Sequence, residues 1–114
     1  MKTPEERLRA YEVDVQDPEV SGMEHLEMLF NRSELSKVEA ALNGKQRQRL
    51  DVADQQLIAH ARQFYTAIQA IANLQSWREH KQEPPDHWWW YLDVLSTAPV
   101  VPAKSAILVS AWAA

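Results

Sequence analysis

The sequence predicts an all-α fold: a small helical bundle built on one long amphipathic helix, with short flanking helices and an irregular N-terminal arm. Three observations carry this. Residues 45–81 contain neither glycine nor proline, and Leu50, Ala53, Leu57, Ala61, Phe64, Ile68 and Ile71 recur along them at three- and four-residue intervals, as one helical face requires. Met23, Leu26 and Phe30 repeat that spacing behind a capping signal, Ser21 followed three residues later by Glu24. The one strand-like alternation, Tyr11, Val13 and Val15, has no obvious partner strand.

The elements follow in order. Residues 1–20 alternate charge with proline and predict a helical turn followed by an irregular arm, with 11–15 lying extended on the helices. Residues 21–114 then form a single helical domain. Ser21 opens a first helix. Asn31 or Ser33 offers a second start before Leu35, Val38 and Leu42, and Asn43-Gly44 reads as a C-terminal stop because glycine accepts the left-handed conformation.

The long helix follows, from about 46 to 81. Leu57, Ala61, Phe64, Ile68 and Ile71 are its core positions, joined by Leu92 from the segment beyond. Pro84-Pro85 ends it. Asp86 can cap a further helix that carries Trp88, Trp89 and Trp90 and turns Tyr91, Leu92 and Leu95 inward. Residues 105–109 fit a short helix or a strand equally well. The tail from Ala98 to Ala114 carries one charge, Lys104, and reads as a segment docked on the core.

A helix of about 36 residues spans on the order of 54 Å, whereas a domain of this size has a radius of gyration near 13 Å. It needs a break or a partner. Its polar face is also poor in charge: between Asp54 and Arg78 the one formal charge is Arg62, among glutamines and alanines. Solvated helices normally carry dense charge pairs. Both features predict a homodimer through the long helix.

Composition narrows the chemistry. With no cysteine, disulfides, thiolate catalysis and cysteine-bound zinc are excluded, and a cytoplasmic location is the expectation. Two glycines, Gly22 and Gly44, cannot build a phosphate-cradling loop. His25, His60, His80 and His87 fall into no Glu-x-x-His or His-Glu-x-x-His pattern, so no metal and no cofactor are expected. The N-terminus lacks the apolar core of a signal peptide, and no stretch is apolar enough to span a bilayer. A net charge of −4 weighs against a generic DNA binder.

What stands out is the run Trp88-Trp89-Trp90 after Pro84-Pro85-Asp86-His87. On a helix three adjacent indoles fan across roughly 200°, so at least one should face outward. Exposed tryptophan is a frequent interface anchor. The expected function is therefore non-enzymatic protein–protein interaction, as an adaptor, regulator, inhibitor or assembly factor. Its partner-binding residues would be His87, Trp88, Trp89, Trp90 and Tyr91, with Trp112 from the apolar tail. The alternative is a single-stranded nucleic-acid binder, with Lys45, Arg47 and Arg49 on phosphates and exposed tryptophans as stacking platforms.

Overall fold

Side-chain caps set the first three helix starts. The structure is a computed structural model, and it describes residues 2–19, 21–81 and 86–97. Among these residues the chain forms six α-helices and two 3-10 turns, with no strand. No helix of the described residues is long and apolar enough to cross a membrane.

The N-terminal arm is not irregular. Residues Pro4–Asp14 form α1. The Thr3 hydroxyl accepts from the Glu6 amide at 3.1 Å, and the Glu6 carboxylate accepts from the Thr3 amide at 3.4 Å. Pro4 sits at the first helical position, where its missing N–H costs nothing. The supposed strand alternation is a helical one: Tyr11 and Val15, four apart, are buried with Leu8, while Val13 is 62% exposed.

Helix α2 covers Gly22–Lys37, capped by the Ser21 hydroxyl on the Glu24 amide at 3.3 Å. It runs unbroken through Asn31 and Ser33, so the second start is absent. A 3-10 turn at Glu39–Ala41 leads to Asn43. Asn43 begins a helix instead of stopping one. Its side chain accepts from the Gln46 amide at 2.8 Å, and Gln46 accepts from the Asn43 amide at 3.0 Å. The helix so started is α3, Gly44–Ala59. Two-sided capping leaves Gly44 no need for a left-handed conformation.

The long helix is broken twice, into α3, α4 (Ala61–Gln69) and α5 (Leu74–Lys81). The longest helix has 16 residues. His60, with φ −111° and ψ 22°, ends α3, and the Asn73 carboxamide restarts the chain by accepting from the Ser76 amide at 3.0 Å. The reason is packing. The molecule measures 33 × 29 × 27 Å, too short for a straight helix of that length. Folding the apolar stripe back lets α3 pack on α1 and α4 pack on α2. Leu57, Ala61, Phe64, Ile68 and Leu92 are buried as expected. Ile71 is not: it falls in the second break and is 52% exposed.

The tryptophans lie on a 3-10 turn, Trp88–Tyr91, that continues into the short α6, Leu92–Leu95. Helix α6 packs against α4. The calls on 98–114, including 105–109, lie outside the described residues.

Helix α2 approaches α4 so closely at Gly22 that a Cβ there would stand 2.2 Å from the Ala67 carbonyl oxygen. A Cβ on Gly44 would meet nothing within 4 Å. Gly22→Ala should therefore cost about 1–3 kcal/mol, since a backbone atom cannot swing away. Gly44→Ala should be neutral or stabilising by up to about 1 kcal/mol. Urea unfolding of the two variants checks the contrast.

His25 is buried, its ring edge-on to Phe64 at 4.6 Å between centroids. Its Nε2 lies 3.1 Å from the Pro18 carbonyl, which can only accept, so that nitrogen carries the proton. Burial lowers its pKa from the ordinary 6.5, against the raising effects of the Pro18 carbonyl, Asp17 and Glu24. The unfolded chain then takes up a proton more readily than the folded one. Stability is complete above about pH 6.5 and falls as the pH drops through the lowered folded value. Thermal melts at about pH 7.5 and pH 5.5 should show this acid sensitivity, and His25→Gln should reduce it.

Candidate functional site

In a 3-10 turn successive side chains point about 120° apart. All three indoles can be buried there only if protein surrounds the turn on every side. It does: Trp88 and Trp89 are each 2% exposed and Trp90 is 0%. The expectation that one indole must face outward is overturned. Its premise was that a single surface would have to take all three, whereas the turn is enclosed by several elements.

Each indole has its own setting. Trp90 packs nearly parallel to Trp77 of α5, with centroids 6.4 Å apart. Trp89 stacks on His87 at 4.5 Å and meets Trp88 edge-on at 5.7 Å. The indole N–H groups of Trp89 and Trp90 both donate to the Ser33 hydroxyl, each at 2.9 Å. One hydroxyl oxygen has two lone pairs and satisfies both donors. Arg78 of α5 clamps the turn from outside. Its guanidinium donates to the Trp90 carbonyl at 2.8 Å, pairs with Asp93 at 2.6 Å and lies over the Tyr91 ring at 4.3 Å.

Beneath Trp89 lies a buried charged network. Arg32 of α2 donates through Nε and Nη2 to the two oxygens of Asp54 on α3, at 2.9 and 3.0 Å. Tyr11 of α1 donates its hydroxyl to the same carboxylate at 2.6 Å. The Arg32 guanidinium stands over the Trp89 ring, 4.2 Å from its centroid. Burial opposes the charge on Arg32, but the hydrogen bonds and charge of Asp54 outweigh it and hold its pKa above the ordinary value. Burial, reinforced by the Asp54 charge, raises Tyr11 well above the ordinary phenol, so it remains a donor.

The sequence-predicted partner residues His87, Trp88, Trp89, Trp90 and Tyr91 are thus brought together, but inward. Trp112 lies outside the described residues. The margin of the cluster that reaches the surface is Phe30, 38% exposed, with its ring edge-on to Trp77 at 5.5 Å and to Trp90 at 5.3 Å. Met23 lies two turns earlier on the same face of α2 and is exposed. Ile71 approaches the neighbouring Gly22. Met23, Phe30, Ile71 and the half-buried Trp77 therefore border one seam between α2 and the α4–α5 segment. Sequence reading placed Phe30 in a core stripe and did not single out Arg32, Ser33 or Asp54.

The basic residues do not converge. Lys45 is exposed. Arg47 donates to the Leu42 carbonyl at 3.1 Å. Arg49 is held by two carboxylates of α1, Glu5 at 2.8 Å and Glu12 at 3.1 Å. The Arg49 hydrogen bonds lower Glu5 to about 2. All three lie in the first turns of α3, while the tryptophan turn packs on α2 and α5. On the opposite flank of α1, Asp14, Asp17, Glu24 and Glu27 surround a cleft of about 330 Å³ with Lys2. Burial raises the Asp14 carboxyl above its usual range, and Glu24 and Glu27 add to the rise against Lys2. Among the described residues no group of three or more histidines or carboxylates is placed to hold a metal ion.

The charged network is open to test. Asp54→Ala strands the Arg32 charge and the Tyr11 hydroxyl, and should cost about 3–5 kcal/mol. The triple variant Tyr11→Phe, Arg32→Met, Asp54→Leu removes every member together and should recover at least half of that loss. Denaturant unfolding followed by tryptophan fluorescence reads both.

No protein-family model matches the chain, and no curated protein or solved structure matches it either.

Proposed function

We propose that this chain is a non-catalytic binding module of the cytoplasm, acting on another protein as an adaptor, regulator, inhibitor or assembly factor. The contact surface in this reading is the seam bordered by Met23, Phe30, Ile71 and Trp77, the outer margin of the tryptophan cluster. The observation that carries it is Phe30: an aromatic ring held edge-on against two indoles, yet 38% exposed. A large apolar side chain already fixed by its neighbours loses little conformational entropy when a partner covers it, and such residues serve as interface anchors. The buried tryptophans support the surface instead of forming it. Arg78 and Ser33 anchor the turn beneath it.

The nucleic-acid reading has less in its favour. It needs free cations beside exposed indoles. Arg49 is held by Glu5 and Glu12, and Trp88, Trp89 and Trp90 are covered.

The test compares affinity capture from the native source using the wild-type chain and three variants. Phe30→Ala and Met23→Glu should each weaken capture of the same partner by about 2 kcal/mol or more, roughly thirtyfold, with helical circular dichroism unchanged. Val13→Ser, on the exposed side of α1, should leave capture intact. Equal capture by all four proteins would overturn the reading. A steep loss of binding with added salt would instead point to nucleic acid.

A further inference from the structure

We propose that the outer face of α3 is a self-association surface whose occupant is α3 of a second copy of this chain, packed antiparallel across a two-fold axis near Gln55 and Gln56. This proposal is independent of the partner seam, which lies on α2 and the α4–α5 segment.

The outer face of α3 is exposed and carries no formal charge between Asp51 and Arg62. Val52, Gln55, Gln56 and Ala59 face outward, while Asp54, the one charged residue between them, turns inward to Arg32. Val52 is 57% exposed. Together with the end of α1 these four residues line an open groove of about 470 Å³, with Asp51 at one end of the α3 lining and His60 at the other.

The surface chemistry selects a second copy as the occupant. A side-chain amide is donor and acceptor at once, so a glutamine face is complementary to itself. Val52 and Ala59 are seven residues apart and bracket Gln55 and Gln56, so an antiparallel two-fold sets Val52 of each copy against Ala59 of the other. The large residue meets the small one. The same rotation carries Asp51 of one copy toward His60 of the other, an acid toward an imidazole. Other faces repel a like copy: the chain has a net charge of −4, and Asp14, Asp17, Glu24 and Glu27 gather between α1 and α2. A two-fold contact is the simplest closed arrangement of identical chains.

The absence of cysteine makes the test clean. Gln55→Cys places one thiol per chain beside the axis, within reach of a symmetric disulfide. Under mild oxidation of the full chain, Gln55→Cys should give a covalent dimer in high yield. Gln75→Cys, exposed on α5, should give little. Sedimentation of the wild type should show a dimer that grows with concentration up to about 100 µM, the range of a modest interface. Val52→Glu should weaken that association at least tenfold with helical content unchanged, and Met23→Glu should leave it unaltered. A wild-type monomer throughout, equal cross-linking at the two cysteines, or loss of the dimer with Met23→Glu would each overturn the proposal.

Discussion

The buried pair of Arg32 and Asp54 is the constraint around which this structure is arranged. Two opposite charges taken out of water are tolerated only with close hydrogen-bonded geometry, and here both Asp54 oxygens are engaged by one guanidinium. Helices α2 and α3 are thereby set in register. Tyr11 adds α1 to the same carboxylate, and the guanidinium face carries Trp89. One ionic contact thus relates three helices and the tryptophan turn. An apolar contact in its place would hold the same layers together without dictating their rotation so narrowly, because dispersion and burial have little directionality.

The tryptophan turn is the second organising feature, and its logic is polar as much as apolar. Indoles bring large area but also a donor that must be satisfied when buried. Ser33 resolves two of these with one oxygen. Arg78 meets the turn from the solvent side through a carbonyl, a carboxylate and an aromatic face. The cluster is therefore held by hydrogen bonds at both ends and by ring packing between. Its surface margin at Phe30 is rigid for that reason, and a binding function fits there better than on the buried indoles themselves.

Charge is distributed unevenly over the rest of the surface. Carboxylates collect between α1 and α2, Glu5 and Glu12 bind Arg49 on α3, and the outer face of α3 beyond Asp51 carries no formal charge. Unequal faces of this kind separate possible partners by electrostatics before any close contact is made.

The sequence alone determined the all-α class, the caps at Ser21 and Glu24, and most of the core stripe, because these depend on local spacing and on hydrogen bonds within a few residues. The capping box at Thr3 and Glu6 was equally local and open to reading, and it accounts for α1. Asn43 could be read either way, since the same carboxamide serves a start or a stop and Gln46 decides it. Tertiary structure alone decided where the long helical stripe would break. Residues 45–81 contain no helix-breaking residue, and it is the closing of a core about 30 Å across that ends α3 at His60. It also decided the fate of the tryptophans. Their burial rests on Ser33, Phe30 and Trp77, distant in sequence, and no local periodicity encodes an enclosure built from several elements.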